Sequence, residues 1–347
     1  MNSTAQQAEY QFLKAHLSDR LWRLNNLYWI IDPFGQKVKF VMNWAQLRLY
    51  ETMWFLNIIL KARQLGFSTF IDIFILDACL FNSNLSSGII ADRRESAQEI
   101  FETKIQFPYD NLPEGIKKKR LPEFESTQRL KFTNGSSIVV GTSMRSGTRQ
   151  ILHVSEHGKI CAQYPDKAKE LRTGSLNTVA TGQIIFIEST AEGKEGDFYD
   201  ICQAAQNKQK QGAKLTELDF RFHFFAWWQH PGYVLNPEGV LITKEHDEYF
   251  ELLAKKEGII LSAEQKAWYV KKHEIQKDDM KKEYPSTPGE AFESSLIGAY
   301  YASEMAAMRQ GGRIGNVLHD PYALVHTAWD LGINGMVIWF FQVVGQE

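Results

Sequence analysis

The sequence predicts an α/β fold organised around a mainly parallel β-sheet, and three observations point that way. From about residue 55 to 190 the chain alternates short apolar runs with helical stretches, the pattern of strands joined by crossover helices. The first of those runs leads through a glycine-containing turn into a long apolar helix. Two later runs stop in polar pairs, Ser155-Glu156 and Ser189-Thr190.

Taken in order, NIILKA (57–62) reads as a strand and Ser68 to Phe81 as a helix. The apolar segment FSTFIDIFILDACLF is too short to span a membrane and carries two aspartates, so it reads as a buried helix. SGIIAD (87–92) is a second strand, followed by a helix starting near Glu95. RLKFTNGSSIVVG is a hairpin with Asn134-Gly135 as its turn. QILHVSE (150–156) and GQIIFIEST (182–190) are further buried strands, with a helix over PDKAKELRTGSL between them. After Gly196, FYDICQAAQNKQKQG is helical, DFRFHFFAWW strand-like, and SAEQKAWYVKKHEIQKDDMKKEY helical and charged. PSTPGEAFESS, with two prolines and small polar residues, reads as a linker. HTAWDLGINGMVIWFFQV then supplies two apolar runs around a Gly-Ile-Asn-Gly turn. A lone hairpin is not a stable domain, so this end reads as the start of a larger unit. The resulting plan is an N-terminal helical extension (1–40), a core (41–195), a lid or linker subdomain (196–295), a linker (296–320) and an incomplete last domain (321–347).

At 347 residues, 44% hydrophobic and 23% charged, the chain has an ordinary globular composition and length enough for a large core. A net charge of −2 excludes a generally basic coat for nucleic acid and leaves room for a local basic path. Cys79, Cys161 and Cys202 lack CxxC spacing, so neither a zinc site nor a disulfide framework is suggested, which fits a reducing compartment. MNSTAQQAEY offers no signal sequence. Basic runs at 117–120, 255–256, 271–272 and 281–282 read as solvated faces that a DNA path could share. Trp227, Trp228 and Trp268 read as core and lid packing, and neither His153 nor His157 has metal-ligand spacing.

KARQLGFST (61–69) has the outline of a phosphate-binding loop, but Phe67 stands where the GxxxxGK[ST] pattern has its lysine. A strand entering RQLG, with a helix starting at the hydroxyl pair, aims backbone N–H groups and the positive helix end at a phosphate. A plain strand–turn–helix cap would carry the same residues. Ser68 or Thr69 would offer a hydroxyl to Mg²⁺, and Lys61 and Arg63 lie close enough to supply cations. In parallel-sheet nucleotide hydrolases the strand beside the loop strand ends in an acidic pair. Here serine holds the first position, so Glu156 is the only carboxylate expected there, as general base or water-positioning residue. ESTAEG would place Ser189 and Thr190 to sense a terminal phosphate.

Together these strand-end motifs resemble the large terminase subunit of tailed bacteriophages, the ATP-driven motor that packages DNA into procapsids, over roughly residues 40–347. KARQLGFS is similar to a variant loop of that family, K-x-x-R-x-G-[FY]-S, which puts Lys61 in a displaced-lysine position with Arg63, Gln64, Gly66 and Ser68 following in the loop. ILHVSEHG looks like its Walker B strand and ESTAEG like its coupling motif. FFAWWQHPGY, LSAEQKAWY and EYPSTPGEAF are similar to segments following its ATPase core. HTAWDLG is similar to the first strand of its RNase H-like nuclease, where Asp330 would hold one of two divalent metals. AQLRLYETMW sits where the family contacts adenine, which makes Gln46 and Tyr50 adenine candidates; an amphipathic helix burying Leu47, Tyr50 and Trp54 accounts for the same stretch. SMRSGTRQ lies where the family carries an arginine acting across subunits, Arg145 being the first choice and Arg149 the second, with phosphate, DNA or an acidic surface as their alternative partners. The resemblance implies a P-loop (ASCE-type) ATPase with a mainly parallel sheet, a lid/linker subdomain and the start of an RNase H-like nuclease domain, inactive as a nuclease in this chain. It also implies ATP and Mg²⁺ as cofactors. The implied partners are double-stranded DNA, a small terminase subunit, the portal of a procapsid and further copies in a ring, all in the host cytoplasm. The alternatives are another P-loop nucleic-acid translocase or helicase-like ATPase, and a degenerate, non-catalytic nucleotide-binding assembly module.

Overall fold

The computed structural model describes residues 11, 14–293, 308, 313, 319–332 and 335–344. The chain divides into two units, Met1–Ser295 and Leu296–Glu347. In the first, helix α1 (Arg20–Asn26) starts on Asp19, whose carboxylate accepts from the Leu21 N–H, and is followed by a small hairpin of β1 (Trp29–Ile31) and β2 (Lys37–Lys39). The stretch expected to be a helical extension therefore also carries strands. Helix α2 (Trp44–Thr52) opens with a capping box between Asn43 and Gln46. It buries Ala45, Gln46 and Leu49; of the expected stripe, Leu47 and Tyr50 are partly buried against the core and Trp54 lies beyond the helix end.

The main sheet then begins with β3 (Leu56–Lys61), which leads into α3 (Phe67–Phe81). After it come β4 (Ser86–Ile90), α4 (Arg94–Ile100), β5 (Pro122–Ser126), β6 (Arg129–Phe132), β7 (Ser137–Gly141), β8 (Arg149–Ser155) and α5 (His157–Gln163). Next are α6 (Pro165–Glu170), β9 (Val179–Ser189), α7 (Asp197–Lys210) and β10 (Phe220–Phe225). These form an eight-stranded sheet in the order β10-β3-β9-β8-β4-β7-β6-β5. Neighbours from β10 to β7 are parallel, and β6 and β5 add on antiparallel. Two departures from the sequence reading follow. The strand beside β3 is β9, not β8, so the Ser155-Glu156 strand lies one place further along. And β10 joins the sheet next to β3, although it lies beyond residue 196.

Strand alternation separates two cores. Ile59, Ile151 and Phe186 pack on the α3 side, while Ile58, Leu60, Leu152, Val154 and Ile187 pack with Ile160, Phe198 and Cys202 of α5 and α7. Helix α3 is buried almost all round, as its largely apolar sequence requires. Its Asp77 is fully buried yet satisfied: Arg23 donates from Nε (2.9 Å) and Nη2 (2.8 Å), and Tyr28 donates its hydroxyl (2.8 Å). That three-way contact fastens the N-terminal segment to α3.

Beyond the sheet, α8 (Lys244–Leu252) and α9 (Ala263–Gln276) pack around an aromatic stack in which Trp268 lies between Trp227 (5.2 Å) and Tyr233 (4.5 Å). The segment read as a linker is instead partly core. Ser286, Glu290, Ala291 and Phe292 are buried. Their polar atoms are used inward: Ser286 accepts from Trp227 Nε1 (2.9 Å), and Glu290 accepts from Tyr249 (2.9 Å). The second unit contains a hairpin, β11 (Val325–Gly332) and β12 (Gly335–Gln342), paired antiparallel. Among the described residues, no helix is long and apolar enough to cross a membrane.

Candidate functional site

Parallel strands bring their C-terminal ends to one edge of the sheet, and that edge collects most of the candidate residues. Lys61 ends β3, Ser155 ends β8 and Ser189 ends β9, with Ser155 in register with Glu188. By alternation Lys61, His153, Ser155 and Glu188 share the face that carries α3, since Ile59, Ile151 and Phe186 do.

The loop between β3 and α3 is held from its flank. Gln46 Nε2 donates to the Gly66 carbonyl (2.8 Å), Asn43 Nδ2 to that of Leu65 (3.0 Å), and the Tyr233 hydroxyl to that of Arg63 (2.6 Å). The Arg63 N–H donates to the Glu283 carbonyl (2.9 Å), and its guanidinium pairs with the Glu283 carboxylate (2.7 Å). Gln64, exposed at the tip, has φ +61°, a left-handed conformation costly for a residue with a Cβ. Gly66 has φ +75°, which favours glycine, and a Cβ there would come within 2.7 Å of Gln46 Nε2 and displace the amide that holds the loop. Helix α3 then starts with no side-chain cap, leaving the N–H groups of its first turn without such a partner.

The side chains facing this helix start form one charged cluster. Lys61, nearly buried, places Nζ 3.0 Å from Glu156 Oε1 and 3.1 Å from Glu188 Oε2. Burial works against its charge, but the two carboxylates prevail and hold the ammonium above its ordinary pKa. Glu188 is fully buried; burial opposes its ionisation too, and Lys61 first, then His153 and Ser68, hold it well below the usual carboxylate range. Its Oε1 accepts from Ser68 Oγ (2.6 Å) and Ser155 Oγ (2.9 Å). Behind it, His153 Nε2 stands 3.5 Å from the same oxygen, while His153 Nδ1 meets Asp72 Oδ1 at 2.7 Å. Against the cost of burial, Asp72 and then Glu188 push that imidazole up to about 9. Glu156 begins α5 in a left-handed conformation (φ +53°), its side chain 38% exposed, and Ser189 Oγ donates to its Oε2 at 3.4 Å. Just after it, a Cβ on Gly158 would meet the Thr190 carbonyl at 2.7 Å, so α5 packs closely on the end of β9.

The structure thus gathers Lys61, Ser68, Glu156 and Ser189 at one edge, with Thr69 half-buried on the same helical turn and Thr190 buried at the strand end. Of the Ser68-Thr69 pair, Ser68 is the one whose hydroxyl donates to a carboxylate here. Glu156 is the carboxylate at the end of β8, and Glu188, on the neighbouring β9, adds a second acid to the cluster that the sequence reading had not singled out. The sequence does carry a signal for it, since in GQIIFIEST alternation puts Glu188 on the face of Phe186, opposite Ile185 and Ile187. Gln46 lies beside the loop, but its amide is committed to the Gly66 carbonyl and to the Asn43 N–H. Tyr50 instead lines a surface cleft with Arg20, Arg23 and Phe81. Arg23 pairs there with Asp77, which lies about 15 Å along α3 from Phe67. Arg145 is exposed and pairs with Glu170 (2.5 Å). Arg149, at the start of β8 and about 20 Å from the Ser155 end, donates to Ser86 at the start of β4. Asp330 lies in β11 opposite Val337, and its side chain is outside the described residues. Among the described residues, no cluster of three or more His, Cys, Asp or Glu is placed to hold a metal.

No protein-family model matches the chain, and no curated protein does. Among solved structures, it is similar to the large terminase ATPase domain of Thermus phage P74-26, at 15% identity and a TM-score of 0.43, over 71% of this chain and 93% of that one. It is also similar to the large terminase of another thermophilic bacteriophage, at 10% identity and a TM-score of 0.35, over 61% of this chain and 49% of that one. The Phi-28 gp11 DNA packaging motor is a third likeness, at 12% identity and a TM-score of 0.32, over 86% and 79% of the two chains.

Proposed function

We propose that this chain is the ATP-hydrolysing motor domain of a viral large terminase, which moves double-stranded DNA into a procapsid. The observation carrying the reading is the meeting, at one edge of a parallel sheet, of Lys61, Ser68, Glu156 and Glu188 with a helix start that has no side-chain cap. These residues fit ATP with Mg²⁺. A hydroxyl and a carboxylate are the sparse, hard-oxygen set that Mg²⁺ takes when phosphates and waters complete its shell. Uncapped N–H groups suit phosphate oxygens. The metal, when bound, supplies neutralisation of charge on the phosphates.

In this reading Lys61 exchanges a carboxylate partner for phosphate, and Arg63, Gln64 and Gly66 shape the loop over it. Ser68, with Thr69 beside it, serves the metal. Glu156, open to solvent, orients the attacking water and accepts its proton, while Ser189 and Thr190 respond to the terminal phosphate. Gln46 and Tyr50 belong to the adenine side. Arg145, exposed, reaches a neighbouring subunit in a ring, with Arg149 as the second choice. Asp330 would serve a two-metal RNase H-like nuclease. A small terminase subunit and a portal are the packaging partners, in the host cytoplasm.

DNA-stimulated ATP hydrolysis tests the assignment. Lys61→Ala should cut turnover by about 10² or more, as loss of a preorganised charge does. Glu156→Gln should still bind ATP while losing about 10²–10⁴ in turnover, the usual contribution of a general base. Full activity in both variants would reject the reading.

A further inference from the structure

In nucleotide hydrolases with a phosphate loop, an aspartate at the end of a central strand works with the loop hydroxyl on Mg²⁺. Here that strand end carries Ser155. We propose that Glu188, on the neighbouring strand β9, provides the missing charge and is the positioning residue that sets Ser68 for Mg²⁺ binding. The inference rests on the ATPase reading above.

Three features support it. Glu188 is the register partner of Ser155, so its side chain starts one strand away from the usual aspartate position and is one methylene longer than aspartate. Its Oε1 takes hydrogen bonds from both hydroxyls, Ser68 at 2.6 Å and Ser155 at 2.9 Å, so the serine left in the strand end holds the replacement carboxylate in place. Its Oε2 is buried and faces the Lys61 ammonium at 3.1 Å, the cation that would move to a phosphate when nucleotide binds. A buried carboxylate kept only for packing would be better replaced by an apolar side chain. This one is instead backed by His153 and Asp72, a second row of the kind that orients metal-site ligands.

The test measures binding of a fluorescent ATP analogue (methylanthraniloyl-ATP) to the full chain, with Mg²⁺ and with EDTA, and reads the ratio of the two Kd values. The wild type should gain affinity from Mg²⁺. Glu188→Gln should lose about tenfold or more of that gain, as removal of an outer-row metal partner does, with the EDTA value unchanged. Adding Ser155→Asp to Glu188→Gln should restore most of it, because the charge returns from the strand where such enzymes usually keep it. A purely structural Glu188 would weaken both Kd values together and would not be rescued by Ser155→Asp, and either result overturns the proposal. So does Glu188→Gln with its Mg²⁺ gain intact. Should Glu188→Gln fail to fold, Glu188→Asp decides, since it keeps the charge but draws it away from Ser68: a lost Mg²⁺ gain supports the proposal and a full one overturns it. A wild type that binds no nucleotide in either condition rejects the ATPase reading and this inference with it, whereas a wild-type gain retained in the variants rejects this inference alone.

Discussion

Phe67 occupies the position where a conventional phosphate loop has its lysine, and the structure leaves no room for one. The ring is 1% exposed and packs on Phe225 at 4.5 Å between centroids, as the first residue of α3. The site's ammonium comes instead from Lys61, at the end of the preceding strand and already between two carboxylates. Phe67→Lys would therefore put a charge into a buried core position and remove the ring that packs on Phe225. It should lower stability by about 3 kcal/mol or more, read as a fall in denaturation midpoint, without raising ATP turnover. A stable and more active variant would show that the loop can accept the conventional lysine.

At the scale of elements, the loop between β3 and α3 is clamped by a segment far away in sequence. Glu283 holds Arg63 through both backbone and side chain, and the adjacent Lys282 pairs with Glu192, in the turn after β9, at 2.9 Å. Two consecutive residues thus tie the loop to the strand end carrying Ser189 and Thr190. The Arg63 guanidinium is more than half exposed, so solvent discounts the pair to about 1 kcal/mol. Glu283→Gln should accordingly speed amide hydrogen exchange across residues 62–66 about fivefold, the equivalent of about 1 kcal/mol of easier opening. Glu293→Gln, which removes a surface partner of Lys281, should leave that exchange unchanged; equal effects would show that the clamp is not specific. This clamp also marks where sequence reading ends. Lys61, Ser155 and Glu156 were legible because apolar runs ended at them, and the Asn134-Gly135 turn because its chemistry is local. The Arg63–Glu283 pair spans 220 positions and Gln46–Gly66 spans 20; no periodicity announces either. Glu188 lies between these cases: alternation along its strand gives its face, but its partners Lys61 and Ser68 come from another part of the chain.

For the molecule as a whole, one buried acid links the segment packed on α8 to global stability. Glu290 accepts from Tyr249 at 2.9 Å with both oxygens and from the Ser286 N–H at 3.3 Å, in the segment that the sequence presented as a linker. Two prolines and small polar residues suggested a solvated connection; the polar groups in fact bond inward, which composition cannot distinguish. Burial pushes this carboxyl up to about 7 from an ordinary 4.5; the Tyr249 and Ser286 hydrogen bonds and Lys281 oppose the rise, and Glu293 adds to it. A folded-state value above the unfolded one means that the native protein binds this proton more tightly. Its contribution is complete below about pH 4.5 and is lost as pH rises to about 7. At about 1.4 kcal/mol per pH unit, the gap sets an upper bound of about 3 kcal/mol. Glu290→Gln keeps an oxygen for Tyr249 and removes the titration. Its unfolding free energy relative to wild type should therefore climb by up to about 3 kcal/mol between pH 4.5 and 7 and stay level above, measured by urea denaturation at successive pH values. A difference that does not change with pH would mean that Glu290 ionises normally in the folded protein.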